Sequence, residues 1–261
     1  MNPMPRGARL RAAAFAAALA FGAASAAPVD DMVAFDGRYI PALASTSAAA
    51  SDPAAAPRAQ AAMRDLAERW PALRQRLVDA GRTARDRAGW HAMLVELDRR
   101  IAEADALVRG GRFADAHEAL EHVRPAMGDA RRAAGIDYFV DRLVAYHEPM
   151  ERIANAAPPL REGRSDASGR DRLERDFAQA RALWLAIERT PVDAARHALT
   201  PQRLAQYERA VAEETAALSR LSDALRGADA AALAAAAAAV KPPFARAYTA
   251  FGIAPGDAAS R

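Results

Sequence analysis

The chain of 261 residues contains no cysteine. That absence excludes disulfides, thiolate zinc sites, iron–sulfur clusters, covalent haem and a thiol nucleophile, and the fold must stand on its hydrophobic core. Lysine is almost missing too, Lys241 being the only one among 36 basic residues. No stretch alternates apolar and polar residues with β-branched enrichment, so strands are not needed to account for the pattern. A Gly-rich phosphate loop, a GxSxG elbow and an HExxH pair are likewise absent.

The longest apolar run extends from about Ala12 to Ala24. It follows Arg6, Arg9 and Arg11 and ends at the small residues Ala24-Ser25-Ala26, the three-part layout of a secretory signal over residues 1–26. Cleavage after Ala26 is expected, because a cut after Ala27 would place Pro28 directly behind the scissile bond. The run is too short and too alanine-rich to anchor, since a span needs about 20 apolar residues. Processing would remove three of the 36 basic residues and none of the 33 acidic ones, taking the net charge from +3 to zero. A nucleic-acid partner is therefore not expected, nor is a membrane span after cleavage, and the location expected is periplasmic or secreted.

What remains is helical in period. Trp70, Leu73, Leu77 and Ala80 share one face, and Trp90, Leu94, Leu97 and Ile101 share another. Phe113, Leu120, Val123 and Met127 mark a further helix between the Gly110-Gly111 break and Gly135. Residues 46–57 and 158–169, rich in proline and small residues, read as linkers. An internal echo is the most informative feature. Val123-Arg124-Pro125-Ala126-Met127 matches Val240-Lys241-Pro242-Pro243-Phe244 at an offset of 117 residues, and each is followed by a Gly-Ile pair, Gly135-Ile136 and Gly252-Ile253. Val108-Arg109-Gly110 matches Leu225-Arg226-Gly227 at the same offset, and Met63, Leu66 and Trp70 fall against Phe177, Ala180 and Trp184 at 114. The expected fold is all-α: a tandem duplicated up-and-down bundle of two units, 27–136 and 137–261, each of three or four helices. Each unit would run from a lead-in segment, Phe35 to Ser47 or Asp137 to Ala157, to a helix with a mid-element proline before Gly-Ile.

The stretch with most chemistry is Tyr146-His147-Glu148-Pro149-Met150-Glu151. On a helical wheel His147 falls inside the stripe of Phe139, Val140, Leu143, Met150, Ile153 and Ala154, with Glu151 one turn on. A His and a Glu at i and i+4 can share a ligand or metal, and Pro149 cannot donate to the Ala145 carbonyl, which opens the helix there. His117, Glu118, Glu121 and His122 form a second polar cluster, with His122 turned to solvent. At about 1.5 Å of rise per residue, His117 and His147 lie roughly 13 Å apart in depth and would not share a metal, whereas Glu121 comes level with Met150 and Glu151. In the second unit the matching positions are Ala234, Ala235, Ala238 and Ala239, so any polar site is single and sits where the units join. His91 and Met93, with Met127 and Met150, could suggest a soft-metal site for copper, but methionines at helical spacing are usually core filler, and His197 has no evident partner.

These residues point to a non-enzymatic exported binding protein. Its site would hold a transition metal or small ligand on His147, Glu151, Glu121 and Met150. The alternatives are an adaptor presenting a helical surface to another envelope protein, and a non-covalent haem bundle with His147 or Met150 as axial ligand.

Overall fold

The computed structural model describes residues 26–253 and residue 255, and every element among them is helical. In chain order these are α1 (Ala26–Ser51), α2 (Ala56–Gly81), α3 (Arg87–Arg109), α4 (Phe113–Glu121), α5 (Val123–Ala134), α6 (Val140–Asn155), α7 (Ala157–Arg161), α8 (Ala167–Arg189), α9 (Pro201–Arg226), α10 (Ala230–Ala238) and α11 (Lys241–Thr249). The signal-peptide expectation falls on residues outside the described ones, apart from Ala26, which opens α1. Among the described residues no helix is long and apolar enough to cross a membrane.

Two stretches behave differently from their sequence reading. Residues 46–57 are not a linker: α1 runs to Ser51, and a 3-10 turn at Pro53–Ala55, capped by the Asp52 carboxylate on the Ala54 N–H, leads straight into α2. Alanine sustains the helix, and the polar residues inside it satisfy themselves. Ser45 Oγ donates to the Pro41 carbonyl at 2.6 Å and Thr46 Oγ1 to those of Ala42 and Leu43 at 2.9 Å, so both can be buried. The lead-in segment is thus a full helix. The second expected linker is half helical, with α7 occupying its start and Asp166 capping α8 through the Gly169 N–H at 2.8 Å. Nor are the prolines of the echo in mid-helix. Pro125 lies in the first turn of α5 and Pro242-Pro243 in that of α11, where a missing N–H costs nothing.

Packing follows one order in both stretches of chain. Helix α1 pairs with α2, α2 with α3, α3 with α4 and α5, and α4 returns to α1. After the Gly135 turn, α6 pairs with α8, α8 with α9, α9 with α10 and α11, and α10 returns to α6 and α7. Each stretch carries an indole reaching across to the next long helix. Trp70 Nε1 donates to Asp98 Oδ1 at 2.8 Å, and Trp184 Nε1 donates to Thr215 Oγ1 at 3.0 Å. The buried side chains of both stretches form one continuous core.

The two Gly-Ile pairs do different work. Gly135 ends α5 at φ 75°, in the left-handed region, and the Ile136 N–H reaches back to the Arg131 carbonyl at 2.9 Å. Gly252 instead lies flat against α1, where an added Cβ would stand 2.8 Å from Pro41 Cδ. Pro41 cannot donate to the Gly37 carbonyl, and the Ile253 N–H fills that vacancy at 2.8 Å. The end of the second half is therefore pinned to the first at a proline-made gap in α1. Gly252→Ala is expected to cost about 1–3 kcal/mol by overpacking this contact, measured by chemical denaturation.

Candidate functional site

The sequence-singled residues lie on helices from both halves. His147 and Glu151 sit one turn apart on α6, with Nε2 and Oε1 separated by 3.4 Å. Glu121 on α4 accepts from Arg124 on α5, and it stands 3.2 Å from His117 Nε2, whose Nδ1 donates to the Leu43 carbonyl at 3.1 Å. Arg124 Nη2 is 3.4 Å from His147 Nδ1 and 3.3 Å from Nε2, so it rests over that edge of the ring and donates to neither nitrogen alone. Lys241 on α11 closes the cluster on Glu151 at 2.8 Å. Phe244 and Tyr248 supply its floor, the imidazole of His147 lying 5.6 Å from the Phe244 ring and the Arg124 guanidinium 5.4 Å from that of Tyr248.

Burial holds His147 below the ordinary imidazole range, with Arg124 and Lys241 reinforcing the shift and the hydrogen bond to Glu151 opposing it. His117 is lowered for the same first reason, against its bond to Leu43. Glu151 is lowered too, but by its partners and not by burial. Burial raises it, but hydrogen bonds with His147 and Lys241 outweigh that and take it down to about 2.

Glu121, His147 and Glu151 are thus neighbours in one network, linked through Arg124. Met150 is not part of it, since its side chain is fully buried in the core, and His122 is exposed. His147 itself lies at the edge of the apolar stripe, half-buried, while Tyr146 and Met150 take the centre. Among the described residues, no group of three or more His, Cys, Asp or Glu is arranged to hold a metal ion. The two residues that pattern reasoning left out, Arg124 and Lys241, carried a faint signal: one follows Glu121 by three positions, and the other is the chain's only lysine.

A second polar group was also hidden in the pattern. Glu214 is fully buried on α9, at helical spacing from Tyr207, Ala210, Ala217, Leu218 and Leu221. Tyr146 donates to its Oε1, while Oε2 is buried without a partner. Burial pushes its pKa up to about 8, against the Tyr146 bond and the more distant Arg220 and Arg246. Between 4.5, the ordinary value, and about 8 the folded chain keeps a proton that the unfolded chain has released. The stability this contributes is whole below 4.5 and is lost as pH rises through about 8. Unfolding free energy is therefore expected to fall by up to about 1.4 kcal/mol per pH unit across the middle of that window, and less steeply towards pH 8. Glu214→Gln should flatten the slope in denaturation series run between pH 6.5 and 8.

His197 finds company the sequence did not reveal. It is buried against Tyr138, Phe139 and Phe251, with ring centroids 5.4, 5.9 and 5.3 Å away, and burial lowers its pKa to about 4. His91 is exposed.

A concave feature at the junction lies elsewhere, along the face where α1 and α2 meet α9 and α11. It is a groove of about 790 Å³. Ile40, Pro41, Ala44 and Ala48 of α1 and Ala61 and Ala62 of α2 give it an apolar floor, with Arg58 at the rim. Arg203 and Gln206 of α9, Thr249 of α11 and Gly252 line it from the second half. Its walls come from helices far apart in the chain, which is why no local motif announced it. Compared with known proteins, the chain matches no family model, no curated protein and no solved structure.

Proposed function

We propose that the chain is an exported, non-enzymatic binding protein, made of two copies of one helical unit, that holds a small ligand in the groove where the copies meet. The observation that carries this is the groove itself. Its volume of about 790 Å³ falls within the range of about 300–1,000 Å³ typical of small-molecule sites, and both halves line it, as such junction sites often are. The polar cluster of Arg124, His147 and Glu151 then serves as the brace that fixes one half against the other.

Duplication is supported by the shared packing order and by the register of particular elements. Helices α4 and α10 are each nine residues long and start 117 positions apart, at Phe113 and Ala230. Asp98 and Thr215, the acceptors of the two indole bonds, are separated by the same offset. An apolar patch for an obligate protein partner has little support: among the described residues Val95 is the one large apolar side chain left exposed.

Native mass spectrometry of protein isolated from the envelope of its own producing cells tests the reading. A small-molecule adduct is expected, and it should vanish in Ala44→Trp, which fills the groove. An unliganded mass for both proteins counts against it. A transition metal held by His147, Glu151, Glu121 and Met150 is the second reading, favoured by the side-by-side placement of His147 and Glu151 on α6. It requires Arg124 to leave the imidazole and Met150 to turn out of the core. Elemental analysis of the same preparation decides it, since metal retained by wild type and lost from His147→Ala would place the cofactor there.

A further inference from the structure

We infer that the connection between α8 and α9, residues 190–200, is an acid-released latch whose bolt is the His197 side chain. The imidazole is seated among rings beside the seam of the two halves. It is 5% exposed, it packs against Tyr138, Phe139 and Phe251, and its Nδ1 is buried with no hydrogen-bond partner among the described residues. Tyr207 of α9 packs edge-on against both phenylalanines. An imidazole held this way is stable only without charge, because the rings exclude water and a proton on Nδ1 finds no acceptor.

The loop that carries the bolt is wound on itself. The N–H groups of His197, Ala198 and Leu199 donate to the carbonyls of Asp193, Ala195 and Ala194, and that of Arg196 donates to the Asp193 carboxylate at 2.9 Å. Ala198, the residue after the bolt, stands at φ 51°, in the left-handed region that an L side chain adopts at a cost. An unbonded ring nitrogen and a left-handed alanine side by side favour release, and the ring contacts oppose it, the balance a switch needs. Arg203, which lines the groove, donates to the Ala198 carbonyl at 3.1 Å, so lifting the loop also removes a support from the groove wall.

Burial is the main influence on the imidazole and holds it at about 4, with Asp193 of its own loop favouring a proton and Arg196 opposing one. Of the elements packed on it, the lead into α6 offers Tyr138 and α9 offers Tyr207, both kept neutral by burial, while Phe251 after α11 carries no charge. Behind Tyr138 stand Asp36 and Arg131. Burial raises Asp36 to about 6, so its titration favours the packed state as pH falls and cannot be the cause of an acid opening. A released imidazole regains its ordinary value of 6.5. Closure is therefore whole above pH 6.5 and weakens by about tenfold per pH unit below it, until pH passes through about 4.

Hydrogen exchange at the Leu199 amide of the full chain reads the opening. Leu199 is buried and its N–H is bonded within the loop at 2.8 Å, so it exchanges when the loop lifts. An amide whose opening ignores pH slows by about tenfold per pH unit as hydroxide falls, whereas the Leu199 amide is expected to keep a nearly level rate from about pH 6 to about pH 4.5, opening gaining what hydroxide loses. It should also exchange faster than the Leu218 amide in the core of α9, the mark of a local opening. His197→Phe keeps a ring in place and takes no proton, so it should restore the steep slope, and His197→Leu serves the same purpose should the larger ring fail to seat. The same level rate in wild type and in a folded variant would overturn the latch, as would a Leu199 rate no faster than that of Leu218. The imidazole gives a check that needs no variant. Its NMR signals should titrate near pH 4, and a midpoint near 6.5 with Leu199 still protected would overturn the inference.

Discussion

Arg131→Met is expected to lower the unfolding free energy by about 3–5 kcal/mol, the usual consequence of removing one partner from a buried ionic group. Arg131 is 2% exposed. Its Nε donates to Asp141 at 2.9 and 3.1 Å, its Nη2 donates to the same carboxylate, and its guanidinium covers the Tyr138 ring at 4.8 Å. Beneath it lies Asp36 of α1, also buried, which accepts from the Tyr138 hydroxyl at 2.7 Å. Burial pushes Asp36 up to about 6, and Arg131 is the main influence holding it from rising further. Without that cation, Asp36 and Asp141 face each other uncompensated at the connection between the halves. Because Asp36 would then keep its proton to higher pH, the penalty should be larger at pH 8 than at pH 5. Denaturation curves at the two pH values check this, and Asp36→Asn placed on the Arg131→Met background should recover part of the loss at pH 8. An equal penalty at both values would show that packing, not charge, is what Arg131 provides.

Trp184→Ala should cost a comparable amount, about 3–5 kcal/mol, by opening a cavity that the surrounding helices cannot collapse into. The indole is completely buried, lies 4.7 Å from the Tyr146 ring, and gives its N–H to Thr215. Thr215 in turn donates to Glu188, so truncation also leaves the Thr215 hydroxyl oxygen without its donor. Trp70, its counterpart between α2 and α3, is 8% exposed and bonds to the more accessible Asp98. Trp70→Ala should therefore be the milder of the two. Since both rings belong to one core, each substitution should shift a single unfolding transition.

Helix type was legible from periodicity, and so was the turn at Gly135, because those signals are local: an apolar stripe, and a glycine at a position of positive φ. Local signals also misled. Proline and alanine between Thr46 and Pro57 look like a linker, yet Pro53 opens a helical turn and the hydroxyls of Ser45 and Thr46 bond to carbonyls within α1. His147 and Glu151 were identifiable from their spacing. Their tie to Arg124 and Lys241 was not, because it depends on how α5 and α11 approach α6. Glu214 was not singled out, because an acid at helical spacing among apolar residues becomes chemistry only once it is buried. The groove could not be read at all, since Ile40, Arg58, Gln206 and Thr249 meet only once the halves have docked.

Methyl NMR on protein labelled at alanine and threonine methyl groups, titrated with the small molecule recovered by native mass spectrometry, addresses the junction site directly. The methyl signals of Ala44, Ala48, Ala61 and Ala62 should move together with the Thr249 methyl of the other half, with one common midpoint. Shifts confined to one half, or centred on the alanines of α10, would contradict a ligand site shared between the two.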